Sequence, residues 1–556
     1  MKQVKHYIAL LSALLMLAPA GYGQGRSDRT PRLNTDTGFV NNMTRNYKPQ
    51  YVPPIDVSNS SRLDQLIRAG NLYLSLNDAI ALALENNIGL EINRYQFELT
   101  DVAYRSSLAG ANGAWDPTFA VNQFNYSRSA QIQTNAVTAG GQSVNVGNSQ
   151  ARSFQLSQGF KTGGTATLGF TSNKSTTNNV NSLFVPNLSG GISLQASQPL
   201  LRGFGLALNT QGITIAKNNQ RAADFGFRTQ INTLVNQVVG AYWNLVSASQ
   251  NVNVARQSLD LSQTQLDQNR KQVDIGTMAP IDILQTEVNV ANGEQTLITA
   301  QATVLTQEVT LKNLISRNGI ASASLAAVHL IPTNRVEVPA VEPVQPIQDL
   351  MEAALQSRPE LAQTRINLEN TQINMRTTKN ALLPQLNLTG NISNPASGGV
   401  INPVQQTDPL TGAVVPRKVN AELVGGFSNI LRQLWAVPTV NYSIGFTLNI
   451  NLRNRSAQAS YATAQLNQRT QELQLQQQIN TVRADVNTAQ ININTARARY
   501  ASALKAATVQ EQVLDAEQKK FALGASTLFV VIQQQNTLTS NRQNLVSAQV
   551  AYATAK

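Results

Sequence analysis

The chain has 556 residues, 42% hydrophobic but only 13% charged, so a long repetitive architecture or several domains is expected rather than one compact core under a charged shell. Cysteine is absent and the two histidines are His6 and His329, which excludes disulfides, thiolate metal sites, a cysteine nucleophile and a His-rich metal centre. The formal charge of +12 comes from singly scattered Lys and Arg, with no dense basic run and no aromatic platform, so nucleic acid is not an expected partner. No catalytic constellation, cofactor site or metal site is predicted.

Lys2 and Lys5 precede an apolar run from Ile8 to Leu17, followed by Ala18-Pro19-Ala20. That order of charged, apolar and small residues predicts a secretory signal peptide over 1–23, cut between Ala20 and Gln24. The run is too short to span a bilayer, and no other stretch approaches 18 consecutive apolar residues. Residues 24–73 have little periodicity and are expected to form an extended N-terminal arm.

A first structural repeat is assigned to 74–331. It opens with a helical pattern from Leu76 to about Ala111. Strands follow within 117–200, where Ile192, Leu194 and Ala196 alternate with Ser193, Gln195 and Ser197. Alternation leaves two long strands or four short ones equally open there. Gln133–Asn148, rich in Gly and Asn, reads as a loop at a strand tip. A long helix is predicted over 206–275, where Ile231, Val238, Leu245, Val252, Leu259, Leu266 and Val273 recur every seventh residue. Three residues after each of the first six stand Leu234, Ala241, Ala248, Ala255, Ser262 and Asn269. This is an a/d seam with one register of mostly small residues, which lets neighbouring helices approach closely and implies a left-handed supercoil. A further helix is expected over 281–317, after the turn at Gly276.

A Pro-rich linker over 332–346 leads into a second repeat at 347–556. Gln230-Ile231-Asn232-Thr233 recurs as Gln478-Ile479-Asn480-Thr481, 248 residues on, and Gly276 recurs as Gly524 at the same offset. The second repeat is read as a helix to about Ala381, strands within 384–452, a long helix over 454–522 and a helix over 528–556. Its clearest strand alternates Tyr442, Ile444, Phe446, Leu448 and Ile450 with Ser443, Gly445, Thr447 and Asn449, the pattern of an outer-membrane strand with a lipid face and a polar lumen. Asn394–Leu423 is expected to be a loop. Seventy helical residues extend about 105 Å, so each long helix should lie beside two shorter ones stacked end to end.

These residues resemble the TolC-like outer-membrane efflux proteins, over nearly the whole chain from Leu74. The resemblance rests on Leu74-Ser75-Leu76-Asn77-Asp78-Ala79-Ile80, on Pro117 and Pro384 at helix-to-strand junctions, on Gln198-Pro199-Leu200-Leu201-Arg202-Gly203 at the return, and on Gly276 with Asp282-Ile283-Leu284 and Gly524 at helical-hairpin turns. It implies an α+β membrane protein: a tandem-repeat protomer of long coiled-coil helices and about four transmembrane strands. Three copies would share a β-barrel in the outer membrane and a periplasmic α-helical tunnel. The implied function is a passive exit duct of a tripartite efflux or type I secretion system, contacting outer-membrane lipid, a periplasmic adaptor and an inner-membrane pump. Gly276, Thr277, Met278, Gly524, Ala525 and Ser526 would form the tips that meet the adaptor. Asp282, Phe521, Val530 and Gln533 would line the entrance. There the sequence departs from the family pattern, because Val530 and Gln533 stand where acidic residues are expected and Phe521 where a hydrogen-bonding aromatic is often found. The alternative is a periplasmic coiled-coil scaffold or adhesin without a pore, which explains the heptads but not the amphipathic strands between them.

Overall fold

The computed structural model describes residues 47, 49, 51–52, 54–55, 57–134, 142–276, 278–319, 323–339, 346–407, 411–436 and 440–556. The expected leader over 1–23, most of the expected arm, part of the expected linker and Thr277 lie outside the described residues. The chain divides into two units, Met1–Ser58 and Asn59–Lys556. In the first unit, the described Tyr47, Tyr51, Val52, Ile55 and Val57 are all exposed.

The second unit begins with α1 (Ser61–Leu66), β1 (Ile67–Arg68) and β2 (Asn71–Leu74), so the last part of the expected arm is regular structure. Next come α2 (Leu76–Asn86) and α3 (Ile88–Ser107), where one helix was expected. The chain breaks at Asn87, which leaves helical angles and caps α3 by accepting a hydrogen bond from Leu90 N. Four long strands follow: β3 (Thr118–Ile132), β4 (Val144–Gly159), β5 (Thr165–Thr177) and β6 (Phe184–Pro199). A short α4 (Leu206–Asn209) leads into α5 (Gln211–Asp274), then α6 (Pro280–Ile315), α7 (Ala323–Ala326) and β7 (His329–Pro332).

The second repeat follows the same plan, with α8 (Ile347–Ser357) and α9 (Pro359–Asn380) broken at Arg358. Arg358 stands 271 residues after Asn87, and here the break follows from Pro359, which disfavours helical angles in the residue before it. The chain continues as β8 (Gln385–Ile401), the short pair β9 (Gln406–Thr407) and β10 (Val414–Val415), α10 (Phe427–Trp435), β11 (Asn441–Asn449), α11 (Arg455–Ala522) and α12 (Leu528–Ala555).

The long strands form one antiparallel sheet of six, in the order β11-β8-β6-β5-β4-β3. This corrects the expected count of about four, and gives the first repeat four long strands, neither the two long nor the four short ones left open. The extra hairpin is β3 and β4, whose Asn-, Gln- and Ser-rich sequence gave the weakest alternation. β8 also extends into the segment expected to be a loop, and α10 packs Ile430 and Leu434 onto it beside Leu188 and Ala396. Gly190 makes room for this contact: a Cβ there would stand 3.0 Å from the Ile430 side chain.

Along α5, the small register is buried throughout, while the aliphatic register is buried only at Val238, Leu245 and Leu266. Leu234, Ala241, Ala248, Ala255, Ser262 and Asn269 are all at most 7% exposed. α5 packs on α3 along its first half and on α6 along its second, while α11 packs on α9 and α12. The main core lies midway, where Leu72, Leu74, Leu82, Tyr242, Leu245, Leu311, Ile315 and Leu330 are all nearly inaccessible. Tyr242 anchors it with its single hydroxyl proton, shared between Leu74 O at 3.1 Å and Asn334 Oδ1 at 3.0 Å. Burial raises its phenol pKa, so the hydroxyl stays a donor.

Candidate functional site

The duct that the resemblance implies would have three working regions: a wall meeting lipid, a joint between wall and helices, and an entrance. The wall is clearest on β11, where every residue is exposed. Tyr442, Ile444, Phe446 and Leu448 project from one face and Ser443, Gly445 and Thr447 from the other, because side chains alternate along a strand. Ile450, expected on the same strand, follows its end at Asn449. The chain turns there towards Asn454, which adopts φ 33° and donates to Leu382 O at 3.1 Å.

The joint is built from prolines and asparagines. Pro117 and Pro384 immediately precede β3 and β8, and Pro199 ends β6. These are positions where a missing N–H does not interrupt a ladder. Leu200 N still donates to Leu386 O at 2.7 Å, and Gly203 N donates to Asn380 Oδ1 at 2.9 Å. Asn209 Nδ2 donates to the carbonyls of Gly203 and Gly205 at 3.0 and 2.9 Å. Side-chain amides thus satisfy carbonyls that no helix or strand can reach.

At the far end, α5 and α11 both finish in glycine turns. Gly276 has φ 77° and Gly524 φ 76°, the left-handed conformation that ends a helix at no steric cost only for glycine. Ala525 N donates to Lys520 O and Gly524 N to Phe521 O, both at 2.9 Å, which caps α11. Met278 follows the first turn, and Pro280 opens α6. Ser526 Oγ donates to Glu517 Oε1, tying the second turn back to its own helix. Lys520 Nζ donates to the other oxygen of Glu517 at 3.1 Å. Together they hold the Glu517 carboxyl below its usual pKa, the serine bond contributing most.

The structure does not bring the four entrance candidates into one cluster. Asp282 lies in the first turn of α6 and is half-buried. Phe521 is half-buried, packed against the cluster of Leu514, Val531 and Leu538. Val530 is half-buried and Gln533 exposed. The exposed aromatic of this tip is Phe529, at 60%.

Sequence reasoning passed over Glu517 and a polar ladder just inside the first tip. Gln265 Nε2 donates to Asn269 Oδ1, and Asn269 Nδ2 donates to Thr286 Oγ1, each at 2.8 Å. One turn away, Asn289 Nδ2 donates to Ser262 Oγ at 3.1 Å. The change from Ala to Ser262 and Asn269 along one heptad register was the available signal. Among the described residues there is no cluster of His, Cys, Asp and Glu able to hold a metal ion, and no helix long and apolar enough to cross a membrane.

Residues 165–317 and 350–556 match the family model of the outer membrane efflux proteins. No curated protein matches the chain. Among solved structures, it is similar to a membrane protein from Pseudomonas aeruginosa, with 15% identity, a TM-score of 0.59, and 91% of this chain and 94% of the other covered. The CmeC outer membrane channel of Campylobacter jejuni matches with 14% identity, a TM-score of 0.56, and 91% and 92% covered. The outer membrane protein VceC of Vibrio cholerae matches with 14% identity, a TM-score of 0.55, and 86% and 93% covered. These likenesses share the fold, and the family match spans most of the sequence. The chain belongs to the outer membrane efflux protein family, and is an efflux channel set in the outer membrane by its strands with its helices extending into the periplasm.

Proposed function

We propose that three copies of the chain assemble into one duct, a shared barrel continued by a tunnel of helices, which passes substrates handed over by an inner-membrane pump through a periplasmic adaptor. The observation that carries this reading is a second heptad stripe that the protomer leaves uncovered. Leu284, Ile298 and Leu305 on α6 are 58%, 65% and 51% exposed at seven-residue multiples. On α11, Leu466 and Leu473 are 69% and 72% exposed, again seven apart. Such stripes are the half-seams of coiled coils and need helices from another chain. The sheet makes the same demand, since a single chain leaves it open.

In this reading the tips at Gly276–Met278 and Gly524–Ser526 meet the adaptor, and lipid covers Tyr442, Ile444, Phe446 and Leu448. The chain performs no chemistry; it is a conduit opened by its partners. Photo-crosslinkers test the arrangement in cells. At Ile298 the crosslinker is expected to capture a second copy of the chain, and at Met278 or Ala525 a periplasmic partner. Partner capture at Asn402 in place of the tips would put the adaptor at the wrong end and overturn the assignment.

A further inference from the structure

The hairpin β3–β4 lies outside the family match, which begins at Thr165. We propose that it is nonetheless a full segment of the barrel wall, so that each chain supplies six strands and the seam between copies is β3 against β11 of a second copy. This rests on the three-copy reading above, and would make a barrel of about eighteen strands rather than twelve.

Three observations carry it. First, the two faces of the sheet stay in phase through the hairpin. One row of paired residues crosses all six strands as Phe119, Leu156, Leu168, Leu194, Ile392 and Tyr442. The adjacent row is polar throughout: Thr118, Ser157, Thr167, Gln195, Asn391 and Ser443. A hairpin folded away from the wall has no need to present a lipid face continuous with that of β11. Phe119, Phe154 and Phe170 also stack across β3, β4 and β5 with ring centroids 6.2 Å apart at each step. Second, β3 and β11 are exposed at every residue, as edges awaiting a partner are. In hydrocarbon an unpaired edge is not tolerated. Third, neighbours in the sheet are all antiparallel, so the first and sixth strands run in opposite directions and close antiparallel against a second copy.

The register of this seam follows from the strand ends. Ser443 stands level with Thr118, and β11 continues six residues below it to Asn449. Setting the nine residues of β11 beside the start of β3 therefore takes a step of six residues per chain. An even step keeps apolar residues beside apolar ones. Six residues of about 3.3 Å over six strands spaced about 4.8 Å give a tilt of about 35°, the value at which barrels ordinarily close. With the irregularity between Val121 and Gln123, Val121 meets Phe446 of the second copy and Phe124 meets Ile444.

The absence of cysteine makes disulfide trapping free of background. Val121→Cys or Phe124→Cys is combined in turn with Ile444→Cys, Phe446→Cys and Leu448→Cys, alongside a parallel set in which Leu168→Cys on β5 replaces the β3 cysteine. The native mass in mild detergent is measured for each variant. The expected result is a shift from the one-chain to the three-chain band on non-reducing gels for the β3 set, strongest for Val121→Cys with Phe446→Cys, and none for the β5 set. Crosslinking by the β5 set alone would place the hairpin off the wall and overturn the proposal while leaving the trimer intact. A three-chain mass with neither set crosslinked overturns the seam as well. A one-chain mass overturns the three-copy reading and the seam with it.

Discussion

Asp282 and Phe521 show how much a neighbourhood decides at the scale of single residues. Asp282 sits in the first turn of α6, where the helix dipole favours a carboxylate whatever else it does. In a three-copy duct it recurs three times around the axis, and rings of acidic side chains draw cations into a pore. Phe521 is held half-buried among Leu514, Val531 and Leu538, so in the proposed duct it would act on the entrance by stiffening the tip rather than by filling the opening. Asp282→Asn is therefore expected to lower the cation preference of the channel moderately with conductance little changed. Phe521→Ala is expected to raise resting conductance while leaving ion preference alone. Reversal-potential and conductance recordings on the two variants check this, and identical values to the parent protein would remove both residues from the entrance. Glu517, which the sequence did not single out, braces the same tip through Ser526 and Lys520. Nothing in a list of Gln-rich helical residues distinguishes that glutamate from its exposed neighbours, because its partner arrives only when the turn at Gly524 folds back.

At the scale of elements, periodicity carried the helices well and the strands less well. The heptads of α5 and α11 repeat over many turns, so chance irregularities average out and both helices end within a residue or two of Gly276 and Gly524. Strands offer only a handful of alternations each, and in β4 the apolar face is diluted by Arg152, Gln150 and Asn148. Its membership of the wall depends on neighbours far along the chain, which a local pattern does not contain. Caps were likewise only partly readable. Ser75 and Asp78 begin α2 as a closed pair: Asp78 N donates to Ser75 Oγ at 3.1 Å, and Ser75 Oγ donates to Asp78 Oδ2 at 2.6 Å. The Ser75 bond, then Arg62, hold the Asp78 carboxyl below its ordinary value of 3.8. A depressed carboxylate stabilises the fold above its unfolded pKa, and the contribution disappears as pH falls through the folded one. The capping pair is worth about 1 kcal/mol. The parent protein should thus melt above Asp78→Asn at pH 6, and the gap should close as the pH is taken below 3.8. A gap unchanged across that range would show that the charge of Asp78 contributes nothing.

Taken as a whole molecule, the chain is a set of surfaces left unfinished. Its sheet has two open edges, its helices carry exposed heptad stripes, and its tips end in turns that only glycine adopts without strain. The open edges and the exposed stripes are costly for a solitary soluble protein, and the proposed arrangement of copies around an axis, with lipid outside and water within, would resolve both. The outer membrane efflux family match and the fold shared with a solved outer membrane channel place the chain among outer membrane efflux proteins. Planar-bilayer recording on the protein purified from outer membranes, with its native mass measured in the same detergent, tests the account most directly. The expected result is discrete conductance steps from a particle of three-chain mass. A particle of one-chain mass, or a membrane-inserted trimer that passes no current under any condition of voltage or salt, would contradict it.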